Sequence, residues 1–161
     1  MFHIVLHEPE IPANTGNIAR TCAATGCALH LIRPLGFDIS ERAVRRAGLD
    51  YWHLLDLHVY DDLDDFFGRT GAADFWLTSS FAPYSYADVT YREGCYILFG
   101  KETKGLPEAV LEAHRERTIR LPMRAEARCL NLANVAAVVC YEALRQLEFP
   151  GLLREGKMAG L

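Results

Sequence analysis

Three stretches of the chain carry the side chains best suited to chemistry. The first is Pro9-Glu10-Ile11-Pro12-Ala13-Asn14-Thr15-Gly16-Asn17-Ile18-Ala19-Arg20. Arg20, in the opening turns of a helix, would aim a fork of donors beside a helix start, where a phosphate is already favoured. Asn14 and Thr15 serve there either as caps of that helix or as ligand contacts. The second stretch, Gly100-Lys101-Glu102-Thr103-Lys104-Gly105-Leu106-Pro107, follows the apolar run Tyr96-Ile97-Leu98-Phe99. Gly100 and Gly105 permit positive φ and let a ligand approach bare backbone. Pro107 and then Glu108 suit the first turn of a following helix. An ordinary strand-to-helix turn with solvated charges fits this stretch equally well. The third runs from Leu121 through Pro122, Met123, Arg124, Arg128, Cys129 and Leu130 to Asn131 and Asn134. Asn131 is either an N-cap or a ligand contact, and general rules favour the cap.

These stretches need a frame that brings them together. Apolar strand-like runs fall near 2–7, 28–33, 54–59, 73–78, 95–99 and 118–121, with helical segments near 17–24, 39–47, 63–67, 107–114 and 132–147. Most of the strands are apolar on both faces, as strands covered by helices on each side must be. Gly26 and Gly48 stand where C-terminal caps belong, and Asp38 with Glu41 has capping-box spacing. The alternation specifies an α/β fold with a mostly parallel six-stranded sheet flanked by helices, as one domain over 1–150 with a tail at 151–161. In such sheets ligands bind at the carboxyl ends of the strands, where all three stretches fall.

Composition narrows the chemistry. The net charge of -4 argues against indiscriminate nucleic-acid binding but leaves room for local patches. Arg42, Arg45 and Arg46, at i, i+3 and i+4 of a helix, form one, and Arg115, Arg117, Arg120, Arg124 and Arg128 form another. A solvated face is the alternative for each. Five scattered cysteines suit reduced, packed thiols in a cytosol. With no CxxC pair and no histidine cluster, no metal site is expected. No run approaches the length of a membrane span, and nothing basic precedes the opening strand-like residues, so neither a membrane segment nor a secretory leader is expected. No G-x-G-x-x-G is possible, and Glu102 stands where a P-loop requires Ser or Thr.

Taken in order, N-T-G-N-I-A-R, F-G-K-E-T-K-G-L-P and I-R-L-P-M…L-N-L-A-N-V-A-A-V-V-C-Y-E-A resemble the three motifs of SPOUT-type RNA ribose methyltransferases. The wider E-P-E-I-P-A-N-T-G-N-I-A-R and R-R-A-G-L-D-Y are similar to the TrmL-like branch, and the likeness runs from Ile4 to about Gly151. The resemblance implies a cytoplasmic homodimer that binds S-adenosylmethionine in a deep trefoil knot built from the last third of the chain. General topology rules would have argued against such a knot. It implies methyl transfer to the ribose 2′-oxygen of the wobble nucleotide, cytidine or modified uridine, of leucine tRNAs. Another RNA site, or cofactor and RNA binding without catalysis, are the alternatives.

Carried over by motif, the resemblance implies cofactor contacts at Leu77, Thr78, Gly100, Lys101, Gly105, Leu121, Met123, Cys129 and Leu130, largely through backbone groups. It places Asn14, Arg20, Glu102 and Asn131 among RNA-handling and catalytic residues. RNA contacts are expected at Arg42, Arg45, Arg46, Arg124 and Tyr141, with Tyr141 and Glu142 on a helix that packs at the dimer interface. One departure stands out: Cys129 occupies a position that is usually serine, and a thiol is the weaker donor. As a side chain it reads as a small packed hydrophobe.

Overall fold

A computed structural model describes residues 1–40, 42–43 and 51–156. Its seven strands are β1 (His3–His7), β2 (Ala28–Ile32), β3 (Leu57–Tyr60), β4 (Phe75–Thr78), β5 (Tyr84–Ser85), β6 (Tyr96–Phe99) and β7 (Thr118–Arg120). They form one sheet in the order β3-β2-β1-β6-β4-β7-β5, every neighbouring pair parallel. The α-helices that lie wholly among the described residues are α1 (Pro12–Thr25), α2 (Leu63–Thr70), α3 (Glu108–Ala113) and α4 (Leu132–Gln146).

Strand alternation decides which helix covers which face. Ile4 and Leu6 pair in register with Leu29, Leu31, Ile97 and Phe99, and this face packs on Ile18 and Cys22 of α1 and Val139 and Ala143 of α4. Val5, Ile32, Leu77 and Leu98 point the other way, onto Phe66 of α2 and Val110 and Leu111 of α3. All five residues of β2 are buried, as a central strand between two helical layers requires. Phe66 is fully buried, so its truncation to Ala would cost about 3–5 kcal/mol.

The six strands expected from the sequence become seven. The addition, β5, lies between the strands expected at 73–78 and 95–99, where Tyr84 and Ser85 pair with Ile119 and Arg120. A two-residue polar edge strand has no apolar alternation to announce it. The strand expected at 54–59 begins only at Leu57, because residues Trp52–Leu54 wind into a 3-10 turn. The first helix starts earlier than its apolar spacing suggested, with Pro12 in its first turn. Asn14 and Thr15 therefore sit inside α1 and do not cap it; the cap position is Ile11. Gly26 closes α1 in the left-handed region at φ 72°, as expected. Asp38 accepts from Ser40, and Ser40 Oγ accepts from the Ala43 N–H. Glu41 and Gly48, the other expected punctuation of that helix, lie outside the described residues, as do Arg45 and Arg46.

Candidate active site at the carboxyl edge of the sheet

The loops after β1 and β6 are laced together by alternating side chains. Lys101 pairs with Glu8, Glu102 reaches the chain at Glu10 and Ile11, and Thr103 donates its N–H and hydroxyl to Glu10. Glu8 itself takes a positive φ of 49°, unfavourable for a residue with a side chain and held here by the Lys101 pair and a backbone bond to Ile32. Gly100 is indispensable for this lacing. A Cβ there would stand 2.0 Å from the carbonyl carbon of Gly105 and the nitrogen of Leu106, so the loop's own backbone takes the space that glycine leaves.

At the centre is a chain of side-chain hydrogen bonds joining all three stretches. The Glu102 carboxylate accepts from the N–H of Glu10 (2.8 Å), the N–H of Ile11 (3.2 Å) and Nδ2 of Asn14 (2.9 Å). Asn14 is 5% exposed, and its Oδ1 accepts from Nδ2 of Asn131 at 2.8 Å. Oδ1 of Asn131 in turn accepts from the N–H groups of Ala133 (2.9 Å) and Asn134 (3.3 Å), capping α4. A helix N–H can only donate and an ionised carboxylate can only accept, so the orientation of both amides follows from the two ends. Asn131 is thus the N-cap of α4, and its amide also reaches Asn14.

This arrangement fixes the ionisation of Glu102. Burial pushes its carboxyl up, but the hydrogen bonds from Asn14, from the backbone at Glu10, from its own N–H and from Ile11 outweigh that. The net position is below the ordinary carboxylate range. A carboxylate so satisfied is a weak proton acceptor.

The residues expected to hold a cofactor line the same edge. Leu77 is buried in the core, Thr78 Oγ1 donates to the Leu98 carbonyl, and Lys101 is ion-paired. What they can offer a ligand is mainly backbone. Gly105, at φ 72°, has no atom within 4 Å of where a Cβ would stand. Leu121 and Met123 are half-buried, and Arg124, Cys129 and Leu130 are exposed. Cys129 is therefore not the packed hydrophobe expected. Among the described residues, 122–130 make one backbone–backbone hydrogen bond, Ala127 to Arg124, so most N–H and carbonyl groups of that loop have no backbone partner there. An adenosyl ligand needs such backbone donors and acceptors, and the residues present fit one.

Arg20 is not drawn into the Asn14–Glu102–Asn131 chain. It is exposed, and its guanidinium lies over the Tyr51 ring, 4.9 Å from the centroid. Tyr51 donates its hydroxyl to the Gly16 carbonyl at 2.6 Å. Arg42 is exposed, and Tyr141 is 48% exposed beside Val138 on the outer face of α4. Sequence reasoning passed over Glu8, Glu10, Thr103 and Tyr51. The first three had a signal: carboxylates two apart after one strand face a Lys and a Thr two apart after another. Among the described residues no cluster suited to a metal occurs, and no helix is long and apolar enough to cross a membrane.

Known proteins share both sequence and shape with this chain. The model of the SpoU rRNA Methylase family matches residues 1–141. A Yersinia pestis protein named tRNA (cytidine(34)-2'-O)-methyltransferase is 48% identical over 160 residues, 95% of this chain and 98% of that protein. A structure described as giving insights into the 2-OH methylation of C/U34 on tRNA superposes with a TM-score of 0.85 at 47% identity, covering 92% of this chain and 97% of that one. The SpoU methyltransferase AviRb of Streptomyces viridochromogenes, solved with AdoMet, shares the fold at a TM-score of 0.75 and 24% identity, over 91% of this chain and 57% of that one. With so much of its length matched, the chain belongs to the SpoU methylase family.

Proposed function

We propose that this protein transfers a methyl group from S-adenosylmethionine to the ribose 2′-hydroxyl of the first anticodon nucleotide of leucine tRNAs. The observation that carries this reading is the polarised chain from the α4 N-terminus through Asn131 and Asn14 to Glu102. It locks three loops at one sheet edge into a fixed site, and alignment of two bound reactants supplies about 7–11 kcal/mol of barrier reduction in favourable cases. The activity resides in one domain over 1–150 of a cytoplasmic homodimer, with 151–161 as a tail.

Bound at the carboxyl edge, S-adenosylmethionine supplies a methyl group on a sulfonium, already a good electrophile. Backbone groups of Leu77, Thr78, Gly100, Lys101, Gly105, Leu121, Met123, Cys129 and Leu130 would hold it, and the last third of the chain would be knotted around it. Asn14, Glu102 and Asn131 keep those loops in register. Arg20 clamps the phosphate next to the target ribose and stabilises the alkoxide as it develops. A guanidinium does not give up its proton, so Arg20 is no base. Glu102 is spoken for by its donors, and the hydroxyl proton leaves to the RNA phosphate or to water.

The exposed Val138 and Tyr141 on α4 support a second copy packing there, with RNA lying across both subunits, Arg20 of one facing the cofactor of its partner. Arg42, Arg45, Arg46 and Arg124 add phosphate contacts, whose neutralisation would flatten the salt dependence of binding.

Incubation with labelled S-adenosylmethionine and bulk tRNA, followed by mapping of the methylated nucleotide, tests the reading. A 2′-O-methyl group at the first anticodon position of leucine tRNAs is the expected result. Label at another nucleotide, or RNA binding with no transfer, overturns it. Arg20→Lys keeps the charge and loses the fork, so turnover should drop more than about tenfold; near-full turnover removes the clamp.

A further inference from the structure

Beside Arg20 lies a groove of about 310 Å³, the lower end of the range for small-ligand sites. Phe37, Tyr51 and Trp52 supply aromatic wall, and Gly16 and Asn17 of α1 supply a small-residue floor. The lining holds the Arg20 guanidinium and the Asp38 carboxylate, which accepts from the Ser40 N–H and hydroxyl. A flat neutral ring gains from every aromatic surface and from the open face of a guanidinium already laid on Tyr51. Tyr51 is itself pinned by its hydroxyl bond to Gly16, so the stacking surface is set before a ligand arrives. Asn17, whose side-chain amide makes no hydrogen bond within the described residues, stands at the groove to read a base edge.

We infer that this groove takes one unpaired nucleobase of the RNA substrate, stacked against the Arg20–Tyr51 pair and the neighbouring rings. The inference rests on the RNA reading above and adds where the base, as opposed to the phosphate, is held.

The test follows Trp52 fluorescence in a Trp76→Phe background, where Trp52 is the only remaining tryptophan. Anticodon stem-loop RNA should quench it, and in a series of stem-loops each abasic at one loop position, at least one should fail to quench. Uniform quenching across the series overturns base recognition in favour of backbone contact. In steady-state kinetics Tyr51→Leu and Phe37→Ala should each raise KM for tRNA about 5- to 150-fold, the loss of one base–aromatic stack, with KM for the cofactor unchanged. Tyr51→Phe, which keeps the ring, should recover most of that loss. Wild-type methyl transfer with unchanged KM in both variants overturns the groove and leaves the proposed activity standing. No transfer and no quenching by wild-type protein overturns the RNA reading itself. Loss of dimerisation in Phe37→Ala by sedimentation, without a change in RNA affinity per dimer, would assign the groove to a second copy instead.

Discussion

The two ends of the sheet solve the same problem, partly buried polar side chains, in opposite ways. At the carboxyl end, Asn131, Asn14 and Glu102 lie 117 and 88 residues apart in pairs and form a directional chain that ends in a negative charge. At the amino end, His58, His30 and His3 continue onto Tyr96 across four neighbouring strands. Their rings stack at 4.7 Å between His58 and His30 and at 4.2 Å between His3 and Tyr96. His30 Nε2 meets His3 Nδ1 at 2.9 Å, and His30 Nδ1 meets the Tyr60 hydroxyl at 2.9 Å. One imidazole proton and one phenol proton satisfy both bonds with every ring neutral. The carboxyl end joins loops and spends a charge; the amino end joins strands and avoids one. Loops from distant parts of the chain are tied by the first kind of network, and neighbouring strands by the second.

Removing the charge should break this contrast most sharply. Glu102→Ala leaves the buried Asn14 amide and two N–H groups without an acceptor, at about 1–3 kcal/mol for each group that water cannot reach. Loops displaced by an ångström lose on the order of a hundredfold in rate. Thermal unfolding and turnover should therefore fall together, and fall less in Glu102→Gln, which keeps one accepting oxygen. A Glu102→Gln protein with the parental melting temperature and no turnover would make this carboxylate the proton acceptor and not the tie.

The amino end should respond to pH instead. Burial, aided by His3 and His58, pushes His30 down to about 3, and burial is also the main cause of the lowered value of His3. The unfolded chain then binds more protons than the folded one below the ordinary histidine value of 6.5, so stability is full above that pH. It falls as pH drops from 6.5 toward 3, by up to about 1.4 kcal/mol per pH unit for His30 alone. Asp56, which pairs with His58 and favours the charged form of His3, moderates the loss without reversing it. Denaturant unfolding of His30→Phe across this range should show a flatter acid limb than the parent. An identical slope would remove the histidine row from the acid response. The Glu102 carboxylate, held low, adds its own loss only at more acidic pH, as it is protonated below the usual carboxylate value of 4.5.

A smaller effect separates cap from connection within the carboxyl-end chain. Asn131→Ser keeps an oxygen to cap α4 but its hydroxyl is too short to replace the Nδ2 donor to Asn14, so about 1 kcal/mol should be lost where Asn131→Ala loses more. Equal losses in both would mean that the Asn14 bond contributes nothing beyond the cap.

The contrast also explains what the sequence could disclose. The parallel α/β layering was legible because continuous apolar runs such as Ala28–Ile32 state their burial on both faces. The three loops were legible as candidates because amides, a carboxylate and glycines gather where strands end. Their meeting at one sheet edge was legible too, but the bonds that tie them were not, because no local rule pairs Asn14 with Asn131 across 117 residues. The strand β5 was missed because two edge residues carry no period. Gly100 was read as room for a ligand, yet backbone from its own loop fills that room, a contact settled only by the reversal at Gly105. Arg20 was placed beside Asn14 and Glu102 by the family resemblance; six residues further along α1, it lies on Tyr51 and outside their hydrogen-bonded chain, a position that no local rule announces.

Cys129 offers the finest test, where the smallest change is expected. Its thiol is exposed in a loop whose backbone groups are mostly unengaged, so Cys129→Ser should leave the unfolding free energy within about 0.5 kcal/mol. The hydroxyl is a better donor than the thiol, and the question is whether anything is there to receive it. If the cofactor is held through the backbone, affinity for S-adenosylmethionine by calorimetry should shift by less than about twofold, some 0.4 kcal/mol. A gain of tenfold or more on Cys129→Ser would show the side chain itself in contact with the cofactor. The carboxyl edge would then hold its ligand, like its own loops, by directed side-chain bonds and not by bare backbone.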